Sequence, residues 1–277
     1  MKQRVLFCFF VFMLLRMDWG YSQTVILDRR ELEAETRFLV DCPTANINPK
    51  RSIETSFRSF ANGGMIFGMN IGLTDRMMIA GSFGGENILG EGPIHWNAAP
   101  GVGMRYKIKF EKYQWPSLSI GFDSQGFGAW QDSTKRFRVK SKGFYAVVSK
   151  NHTLLRGMGF HGGINYSLEK DDGDSDLNVF VGMSWIIDPE PERRDLVLHA
   201  EYDFAINDNG DNSMGAGKGY LNAGVKWAFA PEIFSTRLYL EFDVRNILLN
   251  TRVSPEEKGN VKLYNDRIIK IVFMGYF

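Results

Sequence analysis

The stretch Val102-Gly-Met-Arg-Tyr-Lys-Ile-Lys-Phe110 decides the fold. Val102, Met104, Tyr106, Ile108 and Phe110 recur at every second position, and Arg105, Lys107 and Lys109 stand between them. In an extended chain successive side chains point to opposite faces, so the segment reads as a strand with one apolar and one charged face. A helical winding would mix the two sets.

The same separation runs through the rest of the chain. Leu238, Leu240, Phe242 and Val244 oppose Arg237, Tyr239, Glu241, Asp243 and Arg245. Leu198, Ala200, Tyr202 and Phe204 oppose His199, Glu201 and Asp203, while Leu221, Ala223, Val225, Trp227 and Phe229 oppose Asn222, Gly224 and Lys226. Period two predicts twelve strands, near 53–60, 65–73, 77–83, 102–110, 118–125, 143–149, 157–168, 177–185, 196–204, 220–229, 238–245 and 268–277.

Alternation fits two architectures. A soluble barrel buries its apolar face, whereas a transmembrane barrel turns that face to lipid around a polar lumen. The links between strands separate them. Thr74-Asp75-Arg76 is tight, 84–101 is long, 111–117 is short, 126–142 is long, 150–156 is short, 205–219 is long, 230–237 is short and 246–267 is long. The links 169–176 and 186–195 are of similar length, and Ala61-Asn62-Gly63-Gly64 is tight where a long one is expected. Short periplasmic turns, longer external loops and an even strand count belong to outer-membrane barrels. The expectation is an all-β protein, a transmembrane antiparallel β-barrel of about twelve strands, with both termini on the periplasmic side. Trp115, Trp185, Tyr220 and Trp227 near strand ends are candidates for an interfacial girdle.

Composition agrees. The 277 residues carry 33 Lys+Arg against 32 Asp+Glu, a net charge of +1 that gives no basic surplus for nucleic acid. Glycine and aromatic residues are frequent, and the two cysteines, Cys8 and Cys42, build no disulfide framework. Lys2 and Arg4 precede an apolar run from 5 to 15, the pattern of a secretory signal. The expected organisation is a signal peptide over 1–22, a periplasmic segment or plug over 23–51, and the outer-membrane barrel over 52–277.

Several stretches resemble the YjbH-type exopolysaccharide-associated outer-membrane barrel family. They are Leu39-Val-Asp-Cys-Pro-Thr-Ala45, Asn48-Pro-Lys-Arg-Ser52, Gly72-Leu-Thr-Asp-Arg76 and Ile120-Gly-Phe-Asp-Ser-Gln-Gly-Phe-Gly128. The resemblance implies an outer-membrane part in polysaccharide secretion or surface assembly, and it brings no catalytic residues. The ending, with Ile269, Ile271, Phe273 and Phe277 on one face, resembles the C-terminal assembly signal of bacterial outer-membrane barrels, although Gly275 stands where a bulky residue is usual. Outer-membrane lipids and the outer-membrane assembly machinery are the partners this implies.

The expected lumen carries Arg58, Arg105, Lys107, Lys109, Lys226, Arg237, Arg245 and Lys270 against Asp123, Glu201, Asp203, Glu241 and Asp243. Eight cations to five anions suit a path or site for an anionic polysaccharide, with the surplus on 102–110 as the first contact. A salt-bridged network that fills the barrel is the alternative. Asp171-Asp-Gly-Asp-Ser-Asp176 lacks the later glutamate of a calcium loop and reads as a solvated hairpin loop. Gly215-Ala-Gly-Lys-Gly219 is not a phosphate loop. The four histidines have no zinc spacing, and His161 and His199 fall on the lumen phase, away from the lipid face where an outer-membrane lipase would need its Ser–His pair. No enzyme, cofactor or metal site is expected. The functional alternatives are a pore or export component, a closed structural or adhesive surface barrel, and a secreted soluble β-barrel carrier.

Overall fold

The computed structural model describes residues 36–112, 114–152, 157–187, 196–210, 212–233, 236–251 and 265–277. The expected signal peptide over 1–22 and the charged stretch that follows it lie outside the described residues. In chain order the strands are β1 (Ser52–Phe60), β2 (Gly64–Gly72), β3 (Met77–Glu86), β4 (His95–Trp96), β5 (Gly101–Lys109), β6 (Ser117–Asp123), β7 (Phe127–Gln131) and β8 (Arg136–Val139). They continue as β9 (Gly143–His152), β10 (Met158–Tyr166), β11 (Asn178–Ile187), β12 (Leu196–Asp203), β13 (Tyr220–Ile233), β14 (Thr236–Arg245) and β15 (Asp266–Tyr276).

Twelve of these close a barrel. Each barrel strand pairs antiparallel with the next, β3 passing to β5 and β6 passing to β9, and β15 returns to β1 through Ser52↔Tyr276 to Ser59↔Ile269. The twelve are the strands expected from period two, with ends shifted by a few residues. Closure satisfies the backbone groups within the wall and leaves no open edge. The alternation did not reveal β4, which extends the edge of β3, or the β7–β8 hairpin inside the link 124–142.

Burial shows which face looks where. Phe242 and Trp227 are 45% and 42% exposed, while Lys107 and Asp243 are 7% and 4% exposed. Charged groups line the interior, and Val102, Met104, Tyr106, Ile108, Ile120, Phe144, Ile269 and Ile271 cover the outside. A greasy belt around a charged bore is stable only in hydrocarbon, and this overturns the soluble-carrier alternative. The protein is an outer-membrane β-barrel.

The girdle expectation needs one correction. Trp115, Trp185 and Trp227 are exposed on the outside, but Tyr220 is buried. It shares the inward phase of Asn222 and Lys226 on β13, and its hydroxyl donates to Asp208 Oδ2 at 2.7 Å.

Candidate functional site

The bore is occupied by the chain itself. Residues 36–48 run inside the barrel as a turn closed by the Phe38↔Pro43 bridge, with Leu39 N–H donating to Cys42 O at 2.9 Å and Thr44 N–H to Arg37 O at 3.0 Å. Asn48 and Pro49 pass Asn70 and Gly72 at the periplasmic end of β2. The tip reaches the other end, where Val40 packs with Phe60, Ile66 and Ile268. Leu39, Cys42, Ala45 and Asn48 are almost wholly buried.

Cys42 and Ala45 pack against Tyr145, Val147 and Phe180, and inward side chains of the wall hold the backbone of the turn. Glu201 accepts from three consecutive amides: Val40 at 2.9 Å, Asp41 at 2.9 Å and Cys42 at 2.8 Å. Ser149 Oγ accepts from Ala45 N–H at 2.8 Å, and Ser119 Oγ donates to Ala45 O at 2.7 Å. Arg105 Nη1 donates to Arg37 O at 2.9 Å and to Asn46 O at 2.6 Å, while its Nε donates to the Tyr145 hydroxyl at 2.9 Å. Arg58 Nη2 bonds Asp41 Oδ1 at 2.5 Å, and Arg245 Nη1 reaches Asp41 Oδ2 at 3.5 Å. Arg37 of the turn lies 3.8 Å from Glu54. Buried backbone polar groups require partners, and here the wall supplies them.

Most of the expected lumen residues stand in this bore. Arg58, Arg105, Lys107, Glu201, Asp203, Lys226, Glu241, Asp243 and Arg245 are buried, and Lys270 bonds Glu241 at 3.1 Å. Asp243 Oδ1 lies 2.9 Å from His199 Nε2, and Lys226 Nζ lies 4.3 Å from the Tyr239 ring. Three expected residues lie at the ends. Asp123 is half-buried and accepts from Gln125 N–H, Lys109 Nζ sits 3.8 Å over Trp115 at the periplasmic rim, and Arg237 is half-buried near the start of β14. His161 faces inward between Ser149 Oγ at 2.7 Å and Ser184 Oγ at 3.0 Å, away from lipid.

A second group closes the external mouth. The β7–β8 hairpin folds over the bore, with Phe127 packed beside Val139, Ala205 and Tyr220. Arg136 Nη1 bonds Asp172 at 2.5 Å and Asp208 at 2.7 Å, Lys140 Nζ bonds Asp172 at 2.8 Å, and Lys142 pairs with Asp203. Burial disfavours the Arg136 cation, yet Asp208 and Asp172 hold its pKa above the usual arginine value. Between this cap and the wall remains a cavity of about 10 Å³, room for about one water, lined by Lys142, Asn165, Asn178 and Asp203 among others. The loop 171–176 is therefore not the solvated hairpin expected. Asp171 is exposed, but Asp172 and Asp174 are buried. The cations that bury them come from a hairpin with no strand pattern of its own.

The cation surplus counted from the strands is also misleading. Glu54 was in phase with Arg58 and is inward, Asp266 lies just before the expected start of β15, and Asp41 comes from the inserted turn. Period two within 53–60 already places Glu54 inward, and extending 268–277 by two residues finds Asp266. No periodicity finds Asp41.

Barrel, inserted turn and folded cap define the class: an outer-membrane β-barrel whose bore is filled by its own chain. No family model matches the sequence, and no curated protein matches it. Among solved structures the chain is similar to the KdgM porin, at 10% identity and a TM-score of 0.46 over 82% of this chain and 99% of that one. It is similar to an outer membrane channel from Pseudomonas putida F1, at 9% identity and a TM-score of 0.41 over 84% and 97% of the two chains. It is also similar to the outer membrane phospholipase of Salmonella typhi, solved as a dimer with bound calcium, at 10% identity and a TM-score of 0.41 over 83% and 93%. At such identity none of the three speaks to what this chain carries or binds.

Proposed function

We propose that the protein is a gated conduit of the outer membrane that serves export or surface assembly of an acidic exopolysaccharide, with residues 36–48 as its gate. One observation carries this reading: the oxygen atoms of the inserted turn satisfy the cations of the bore. Arg105 is held by the carbonyls of Arg37 and Asn46, and Arg58 and Arg245 by the Asp41 carboxylate. When the turn leaves, these buried cations face the passage, which then favours an oxygen-rich anionic polymer. The YjbH-type resemblance of 39–45 falls on the tip of this turn, which ties the resemblance to the gate. The outward ending with Ile269, Ile271, Phe273 and Phe277 is the surface the assembly machinery would read.

A closed structural or adhesive surface barrel is the second reading, favoured by the ion-paired cap of Arg136, Lys140 and Lys142. Planar-bilayer recording of the full chain separates the two. The expected result is low conductance for the parent and frequent openings for Glu201→Gln combined with Arg136→Met, which loosens the cap over the mouth; barrel closure is checked by unheated electrophoretic mobility. A folded Glu201→Gln/Arg136→Met barrel with no current overturns the gate and leaves the structural reading.

A further inference from the structure

At the external end of the bore, β1 and β14 flank β15 and bring two guanidinium groups to one point. Arg58 Nη2 and Arg245 Nη1 approach the two oxygens of one carboxylate, Asp41 Oδ1 at 2.5 Å and Oδ2 at 3.5 Å. Arg245 Nη2 also pairs with Asp266, so two cations meet two anions. The Phe127 ring of the folded hairpin lies beside both, its centroid 4.2 Å from Arg58 Cζ and 5.8 Å from Arg245 Cζ. Both arginines are nearly buried, and their strands fix them independently of the turn that carries Asp41.

We propose that Arg58, Arg245 and the Phe127 ring form a recognition site for the carboxylate of an acidic sugar, and that Asp41 fills this site from within the chain in the closed state. The proposal rests on the gated reading, since the site opens only when the turn leaves. Withdrawal of Asp41 leaves two buried guanidinium groups with the single Asp266 carboxylate between them. A buried cation without its partner is strongly disfavoured, so the vacated position draws in another carboxylate. Paired arginine forks select planar oxyanions with defined geometry. An apolar ring next to that charge suits a uronate, which carries its carboxylate beside an apolar C–H face. Polymer arriving at the site would compete with Asp41, so cargo and gate exclude each other, and binding of one releases the other.

The test uses full-length protein in detergent and a hexameric oligogalacturonate as the probe, with calorimetry for binding and the Cys42 thiol of a Cys8→Ser protein as the reporter of the turn. The expected result is that Asp41→Asn binds the probe at least about tenfold more tightly than the parent, because the competing carboxylate is gone. Arg58→Gln should abolish binding, and Arg245→Lys, which keeps the charge and loses the fork, should weaken it. The probe should also speed maleimide labelling of Cys42 in the parent, and a neutral maltohexaose should do neither. Equal binding by hexa-aspartate overturns the sugar assignment, and binding insensitive to Arg58→Gln and Arg245→Lys in folded barrels overturns the site. Site and conduit fail separately. Arginine-dependent uronate binding without any conductance in Glu201→Gln/Arg136→Met keeps the site and removes the conduit, whereas conductance without arginine-dependent binding keeps the conduit and removes the site.

Discussion

The backbone N–H of Cys42 donates to Glu201 Oε2 at 2.8 Å, joining the tip of the inserted turn to the wall of the barrel. The same carboxylate accepts from Val40 and Asp41, so one side chain on β12 caps three successive amides. A charged acceptor facing converging N–H groups makes stronger bonds than a neutral one, about 1.5–3 kcal/mol each. Glu201→Gln keeps the size, loses the charge and turns an NH2 group toward donors. The expected outcome is a turn that leaves the bore about tenfold more often, the equivalent of one such bond. Maleimide labelling of Cys42 in a Cys8→Ser background measures it, and an unchanged rate would show that the turn is held elsewhere.

The two faces of β15 give a sharper contrast within three residues. Lys270 is inward and paired with Glu241, whereas Ile269 and Ile271 are outward in the belt. Ile271 stands mid-strand, opposite Leu240 and Phe57. Ile271→Arg is expected to destabilise the barrel in lipid by about 2–4 kcal/mol, the cost of a cation at the bilayer midplane. Urea unfolding from liposomes reads the difference.

Arg136 holds the cap over the mouth through Asp172 and Asp208, with its guanidinium fully buried. Arg136→Met leaves two buried carboxylates short of a partner, and breaking such a pair costs about 3–5 kcal/mol. Because the cap is not part of the twelve-strand wall, the loss is expected there alone. Protease should cleave the links 126–142 and 205–219 in the variant, while the closed barrel keeps its unheated mobility.

Acid should act on the same cap through two carboxyls that shift oppositely. Burial works against the Asp174 anion, but the N–H groups of Asn209, Asp176 and Gly210 outweigh it and hold its pKa below the ordinary 3.8. Its stabilising contribution is full above pH 3.8 and disappears as the pH falls through the lower folded value. Glu169 is raised above its ordinary 4.5 by burial, against the N–H bonds of Ser141 and Phe137, so its contribution is full below pH 4.5 and fades as the pH rises through the higher folded value. Limited proteolysis from pH 7 to pH 3 should therefore show a cap protected best between these windows. Asp174→Asn should remove the acid limb, and Glu169→Gln should remove the loss toward neutral pH.

The wall was legible in the sequence because lipid and bore impose opposite demands on neighbouring side chains. Val102 against Arg105, or Phe242 against Asp243, states both environments at once. The contents of the bore were not legible. Leu39-Val-Asp-Cys-Pro-Thr-Ala45 has no period, and its place is set by hydrogen bonds to Glu201, Ser149 and Ser119, far away in sequence. The cap escaped for a related reason: Arg136, Lys140 and Lys142 sit in a loop whose composition looks solvent-facing, and only pairing with Asp172, Asp203 and Asp208 buries them.

Gly182 offers a purely steric test of the inserted turn. It lies on the inward face of β11, and a Cβ added there would stand 2.2 Å from Leu39 Cδ1 and 2.8 Å from Ala200 O. The first contact is the far end of a flexible side chain on the turn, and the second is backbone of the neighbouring strand. Both must give for an alanine to fit, and Leu39, the far end of a flexible side chain, has the larger overlap to relieve. Gly182→Ala is expected to raise Cys42 labelling severalfold, with overpacking of about 1–3 kcal/mol as the driving term. Gly81→Ala is the control, since an added Cβ there meets nothing within 4 Å and should change neither labelling nor unfolding. If both alanines behave alike, the Leu39 side chain does not secure the turn against β11, and the hydrogen bonds of Glu201, Arg105, Ser119 and Ser149 hold it instead.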